Sequence, residues 1–338
     1  MSTGASEIDR KRHGGGFRWG SLASATELQI LAALLLLVIG FSLAFPDSFA
    51  TQGTLTNVSR VAGILLVVAI GQSFALIVGG FDISVGSTMG LVSVIAATMM
   101  VGGTDIWLAI LVGIACGALV GVVNGIGIAV FRVTPFVMTL GMLTAARGLA
   151  DLIANGGTII GLPREFAVFG RAMWWGIPSA ACIAAIALVV AWVILQRTRA
   201  GLYIYAIGGS QETSRVAGVA ITRYQILAYA LCGAMAGVAG LMLTSRVGVS
   251  QGSLGQGYEL LSVAAAVIGG VLIGGGVGRL TGVVLGVLLI TVLNTGLDIA
   301  GVNPFVQQMV TGTVLVAAVI VANARSGRLR RLFRRSGA

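Results

Sequence analysis

Ten long stretches with almost no charge dominate this sequence, at 28–45, 58–79, 85–101, 107–131, 135–154, 177–195, 225–244, 258–276, 280–297 and 304–322. A bilayer core takes about 20 apolar residues per helix. Within lipid the backbone must satisfy its own N–H and C=O groups, so such runs become helices. The expected fold is therefore an all-α polytopic membrane protein with about ten transmembrane helices. Composition agrees: 9% of residues are charged, where a soluble chain carries roughly 25%. The 51 glycines suit helices that approach closely in lipid. The eighth run is the weakest, because its uninterrupted apolar core covers only Leu260 to Ile273, short enough to be re-entrant.

Charge then orients the spans. With ten crossings and the N-terminus inside, one side holds 16 Lys or Arg: four in the N-tail, Arg132, four within 196–224 (Arg197, Arg199, Arg215, Arg223), Arg279 and six in the C-tail. The other side holds Arg60, Arg164, Arg171 and Arg246, and Arg147 lies within a span. Cytoplasmic segments carry the Lys/Arg excess, so both termini are expected to be cytoplasmic. The resulting division is a basic N-tail (1–27), a transmembrane region (28–322) with a cytoplasmic loop at 196–224, and an Arg-rich C-tail (323–338). The net charge of +10 sits largely in those tails, which makes nucleic acid an unneeded partner and membrane lipid the expected one. Cys116, Cys182 and Cys232 are far apart inside apolar runs, and His13 stands in a polar tail. No metal-ligand spacing results.

Two of the five prolines share a context, Val133-Thr-Pro-Phe-Val137 and Val302-Asn-Pro-Phe-Val306. Each opens a span and follows one with small-xxx-small spacing, Gly117 to Gly121 and Gly282 to Gly286. The first would run outward and the second inward, so spans two to five and seven to ten read as inverted repeats, an arrangement that recurs in transporters.

The turn between the second and third spans reads GGFDISVGS (79–87). Gly79 and Gly80 can end one helix, and Asp82 or Ser84 can cap the next at the cytoplasmic rim. The alternative is a carboxylate acting at an inner gate or pairing Arg132. The other acids are expected near span ends, Glu259 among them at an outer one, with none in mid-bilayer. A proton-coupled carrier generally needs intramembrane carboxylates, so this distribution implies an external energy source. Arg147 and Asp151 lie at i, i+4 on one helical face in the outer part of the fifth span. They read either as a mutual ion pair or as a lining of the outer mouth.

No P-loop is present, since Lys11 is the only lysine. Nor does any His, Cys, Asp or Glu cluster offer a catalytic constellation. The energy source is expected to be another protein, and the 196–224 loop is where it would dock. There Ser210 can cap a short helix with Glu212 and Arg215 at i, i+3. Val216, Val219 and Ile221 supply an apolar side, which suits docking into a groove or packing on the chain's own spans.

GGFDISVGS, TPFVMTLGMLTAARGLADLIANG in the fifth span, and the run from AIGGSQETSRVAGVAI through GYELLSVAAAVIGG to GGGVGRLTG resemble the ribose-type permeases of bacterial ABC importers, over roughly residues 55–323. The resemblance implies an inner-membrane permease that pairs with a second copy, most simply as a homodimer. It also implies a periplasmic binding protein that delivers substrate and a cytoplasmic ABC ATPase that uses ATP and Mg, with no cofactor in this chain. Glu212 and Gly218 match the spacing of the E-x5-G coupling motif, although the downstream Leu-Pro of its fuller form is absent. The implied ATPase contact is Gly209, Ser210, Gln211, Glu212, Thr213, Ser214, Arg215, Val216, Ala217 and Gly218. A sugar or polyol route needs hydrogen-bonding groups in an apolar path. Gln72, Asn124, Asn294 and Gln307 qualify, with Asp82, Arg147, Asp151 and Glu259 as charged candidates, while each amide could equally serve as interhelical glue. Similar permeases carry nucleosides; a branched-chain amino-acid permease is the nearest rival and a secondary carrier a more distant one.

Overall fold

The computed structural model describes residues 25–325; the expectations for most of both basic tails fall outside them. The described chain is a bundle of α1 (Ala25–Ala44), α2 (Pro46–Phe49), α3 (Gln52–Ile77), α4 (Val85–Val101), α5 (Ile106–Ala129), α6 (Pro135–Ile153), α7 (Ser179–Arg197), α8 (Arg199–Gly209), α9 (Gln211–Val216), α10 (Ile221–Val247), α11 (Tyr258–Ile268), α12 (Leu280–Ile299) and α13 (Pro304–Arg325). A 3-10 turn (Arg164–Phe169) and a two-stranded hairpin, β1 (Met173–Trp174) and β2 (Ile177–Pro178), join α6 to α7.

Each of the ten apolar runs contains a helix. Among the described residues, seven helices, α1, α3, α5, α6, α7, α10 and α12, are long and apolar enough to cross a bilayer. α4 and α11 are apolar but shorter. Hydropathy marks where lipid is and not where the helix stops, which is why α3 and α10 extend beyond their runs through polar turns at Gln52 and Ile221. The eighth run is corrected most. α11 ends at Ile268, and the rest of 258–276 is loop, because Gly270, Gly275 and Gly276 adopt positive φ.

The centre is built on glycine. α5 lies against α10, where Gly117 meets Gly233 and Gly237, Gly121 meets the Tyr229 backbone, and Gly125 meets Ile226. Small residues let two backbones approach without side chains between them. α12 carries the other small pair, Gly282 against Gly269 and Gly286 against Ala265 of α11. The two spacings picked out beside the prolines are thus both contact faces. Pro135 and Pro304 open α6 and α13 as expected, at the first helical position, where a missing N–H costs nothing.

The order of elements recurs. α3 and α10 are each followed by a non-helical stretch (78–84, mostly buried, and 248–257, partly buried), a short helix (α4, α11), a longer one (α5, α12) and a Pro-opened one (α6, α13). The pairings cross over, with α5 on α10 and α12 on α3. At one end of the bundle, hereafter the loop-helix end, α8 packs by Gly208 against the Ile77 carbonyl, which also accepts the Gly276 N–H at 2.8 Å. The hairpin and 3-10 turn cover the opposite, hairpin end, where Arg171 donates from Nε to the Ser245 carbonyl at 2.9 Å at the close of α10.

Candidate functional site

The sequence-selected groups fall into three places. The first is the break between α3 and α4. α3 stops because Gly79 takes φ 100°, and the chain folds back into the bundle instead of surfacing. Asp82 is 1% exposed, so its assignment to a cytoplasmic rim is corrected. The backbone of Asp82 is held by the Gln72 amide, whose nitrogen donates to the Asp82 carbonyl (3.1 Å) and whose oxygen accepts from its N–H (3.0 Å). Gln72 lies level with Cys232, about 16 Å along α10 from Ile221.

The Asp82 carboxylate accepts from the Ser84 N–H (2.8 Å), the Ser84 hydroxyl (2.5 Å) and Asn124 Nδ2 (3.1 Å). Asn124 also donates to Ser84 Oγ at 2.9 Å. Ser84 occupies the N-cap position of α4 without a side-chain cap bond. Asp82 therefore closes an Asx-type turn on Ser84 and does not cap the helix. Arg132 is exposed at φ 57° and is not its partner. A buried charge persists only when paired or hydrogen-bonded, and here three donors from the loop and α5 do this without a cation. Asp82 is thus an acid buried within the bundle, where the sequence suggested only a span end.

The second place is a cavity of about 750 Å³ between α11, α12 and α13. It gathers Glu259, Asn294 and Gln307, three of the path candidates, with Gln256, Gln308 and Thr311. Glu259 was expected at an outer end. It stands half-buried beside the first turn of α4, because 248–257 runs along α4 in non-helical form before α11 begins. Gly252 packs on the Gly90 turn and Gly255 on Gly86, and the Glu259 carboxylate faces Gly86 while accepting the Gly257 N–H (3.1 Å to each oxygen). Ser250 pins the descent, pairing with Ile159 as an isolated bridge and with Ser93 by a 2.6 Å hydroxyl contact. Asn294 accepts from Thr311 at 3.4 Å, and Gln307 donates to Asp298 (2.7 Å) and to the Val302 carbonyl (2.9 Å). These amides join α12 to α13 and still present polar atoms to the cavity.

Of the two readings of Arg147 and Asp151, the mutual ion pair is not formed. The Asp151 carboxylate turns toward Gly252, and the buried Arg147 Nε has no hydrogen-bond partner. With the cation N-terminal to the anion, the i, i+4 spacing is the weaker orientation, and contact with 248–257 displaces it.

The third place is the 196–224 segment. It holds two helices, α8 and α9, where one was expected. α8 buries Gly201, Ile204 and Ile207, and Tyr205 donates to the Gly278 carbonyl at 2.9 Å. Ser210 caps α9 by accepting the Thr213 N–H at 3.2 Å, and Glu212 meets Arg215 at 3.4 Å in the open. Gly218 takes φ 77°, so the E-x5-G spacing ends at a residue that must be left-handed. Val216 is 83% exposed and does not join Val219 and Ile221, which pack toward the core; the single apolar side expected there is corrected. Across Gly209 to Gly218, only Ser214 is buried, leaving an exposed knob at the loop-helix end.

Sequence reasoning missed Gln256, Gln308 and Glu27, and it read Ser84 only as a possible helix cap. Glu27 is a buried acid on α1 that accepts from Thr281 Oγ1 (2.5 Å) and faces Arg279 at 3.8 Å. Gln308 was findable as a second amide inside a span, whereas Gln256 lay in what read as an outer loop.

An otherwise apolar helical bundle thus holds a cavity with several polar side chains, a buried polar break and an exposed knob at one end. The family described as "branched-chain amino acid transport system / permease component" matches residues 54–319. The chain belongs to this permease family. The ribose import permease RbsC of Bacillus subtilis is 39% identical over 87% of this chain and 91% of its own length. RbsC of Escherichia coli K12 is 34% identical over 92% and 98%. The galactose/methyl galactoside import permease MglC of Haemophilus influenzae is 33% identical over 85% and 91%. No solved structure matches this chain. The permease is a multi-pass protein of the bacterial inner membrane, and the resemblance to ribose-type permeases holds along nearly all of it.

Proposed function

We propose that this permease is the membrane subunit of an ABC importer that passes a monosaccharide or related polyol, delivered by a periplasmic binding protein. A separate ATPase would supply the energy, using ATP and Mg, so this chain itself carries no catalysis and no cofactor. The observation that carries the reading is 34–39% identity to ribose import permeases over 87–92% of the chain. Ten crossings with both termini cytoplasmic follow if α4, α11 and α13 also cross. α11 would complete its crossing through the descending 248–257. On that topology the loop-helix end is cytoplasmic, in line with 16 basic residues against four, and the recurring element order reads as inverted repeats. The exposed knob from Gly209 to Gly218 then meets the ATPase. The cavity with Glu259, Asn294 and Gln307 offers hydrogen-bonding groups to a hydroxylated substrate, and a second copy of this permease, as a homodimer, would complete the path.

The buried Gln72, Asp82 and Asn124 act in this reading as the lock on a broken helix rather than as substrate contacts, while Arg147 and Asp151 border the descending segment. Reconstitution with its ATPase and binding protein tests the proposal. ATP-dependent uptake of labelled ribose or galactose, abolished without the ATPase, is the expected result. The family's description favours a branched-chain amino acid as the second substrate class, so labelled leucine is the competing arm. Because Asp82 is a buried acid, a protonophore arm is included. Uptake lost to protonophore while ATP is maintained would point to a secondary carrier and overturn the ABC reading.

A further inference from the structure

The β1–β2 hairpin carries a side chain where the backbone disfavours it. Trp175 and Gly176 form its two-residue turn, both at positive φ (50° and 80°). Such turns favour Asn-Gly, because a residue with a bulky Cβ substituent strains at the first position. The indole that this turn holds out is 95% exposed, and Met173 and Ile177 beside it are also exposed. Arg60 backs the hairpin, with Nη2 donating to the Arg171 carbonyl at 3.0 Å and approaching Met173 Sδ at 3.7 Å. Strain kept at an exposed tip points to something outside the chain that takes the ring.

The adjoining helix says what that is. α7 runs from Ser179 to Arg197, about 28 Å at 1.5 Å per residue, close to the ~30 Å of a hydrocarbon core. Its exposed face is aliphatic, through Ile186, Val189 and Val193. At the loop-helix end that face closes on Trp192, with the Arg197 guanidinium 5.0 Å from the ring centroid. At the hairpin end Trp175 stands just beyond the first residue of α7. Trp107, 70% exposed in the first turn of α5, stands at the same end. Tryptophans gather at the two membrane–water interfaces, where the ring is half apolar and the N–H is wet.

We propose that the β1–β2 hairpin is an interfacial anchor, with the Trp175 ring seated in the lipid headgroup layer, setting the depth at which α7 crosses. Its source is the spacing along α7 and the strained turn, and it stands whether or not the substrate is a sugar.

The test uses the full chain with Trp19, Trp107, Trp174 and Trp192 replaced by Phe, reconstituted into phosphatidylcholine vesicles. Bromine is placed either near the headgroup end of the acyl chains or near their tails. The expected result is strong quenching of Trp175 emission by the shallow bromine, weak quenching by the deep one, and poor access to aqueous iodide. Free access to iodide with no quenching by either lipid overturns the proposal. So does protection from iodide that appears only when the binding protein is added, which would make the tip a protein dock. If the multiple variant fails to insert, Trp175→Asn in the otherwise native chain serves, since Asn suits the turn. It should insert normally and lose a component quenchable by shallow bromine, and an unchanged quenching profile refutes the anchor.

Discussion

Two identical substitutions should move stability in opposite directions, and the reason is geometric. A Cβ added at Gly117 of α5 would stand 2.5 Å from the Gly233 carbonyl oxygen and 3.1 Å from the Gly237 Cα, the first about 1 Å short of ordinary contact. Both obstacles are backbone of α10 and cannot swing aside as a side chain would, so the two helices must separate. Overpacking of this kind costs about 1–3 kcal/mol, with loss of contact along the glycine face from Gly117 to Gly125 added to it. Against this, Gly→Ala in a helix gains up to about 1 kcal/mol of propensity, so Gly117→Ala should be a net loss. At Gly148 of α6 a Cβ meets nothing within 4 Å, and Gly148→Ala keeps the propensity gain. Thermal unfolding of the purified variants, followed by loss of the monodisperse peak on size exclusion, reads both. Gly117→Ala should melt below the parent and Gly148→Ala at or above it. A stable Gly117→Ala, or equal shifts for the two, would refute close backbone packing of α5 on α10.

Three further outcomes follow from the site. Asn124→Ala removes the donors to Asp82 Oδ2 and Ser84 Oγ, leaving a buried carboxylate short of a partner, and should cost about 1.5–3 kcal/mol in the same melting assay; a neutral result would mean that the α3–α4 break is not held by this bond. Glu212→Arg and Gly218→Trp, one reversing a charge on the exposed knob and the other forcing an indole onto φ 77°, should leave membrane insertion intact while lowering co-purified ATPase and uptake together; normal coupling in both would move the docking site elsewhere. Exchanging Arg147 and Asp151 should not rescue the single alanine variants, because no ion pair joins them, and recovered expression in the exchange would reinstate the pair.

The membrane class, the ten helical runs and both glycine contact faces were legible in the sequence because lipid imposes them: length, apolarity and small-residue spacing are local properties. Depth was not. Asp82 and Glu259 each sit at the edge of an apolar run, so a linear scale places them at the surface. In the fold, Gly79 and the glycines at 252, 255 and 257 let non-helical chain run inside the bundle, where Gln72, Ser93 and Ser250 supply the missing hydrogen bonds. Those partners are distant in sequence, and no periodicity announces them. The Arg147–Asp151 spacing failed for a similar reason, since local helical geometry offered a partner that tertiary contact with Gly252 displaced. At the docking segment the cap and the i, i+3 pair were readable because they are local, whereas α8 looked like loop, because its burial depends on Ile77 and on the 269–279 turn.

The two short helices also constrain the order in which the protein can be made. α4 has 17 residues and α11 has 11, the second far below the length at which a segment is stable across lipid alone. Their ends expose backbone groups that hydrocarbon cannot satisfy. The surface of α4 at Gly86 and Gly90 is covered by residues 252–259, which leave the ribosome more than 150 residues later. The first half of the bundle therefore waits, unsealed, for the second. A nascent chain stopped before Gly252 would carry an open seam along α4 at Gly86 and Gly90.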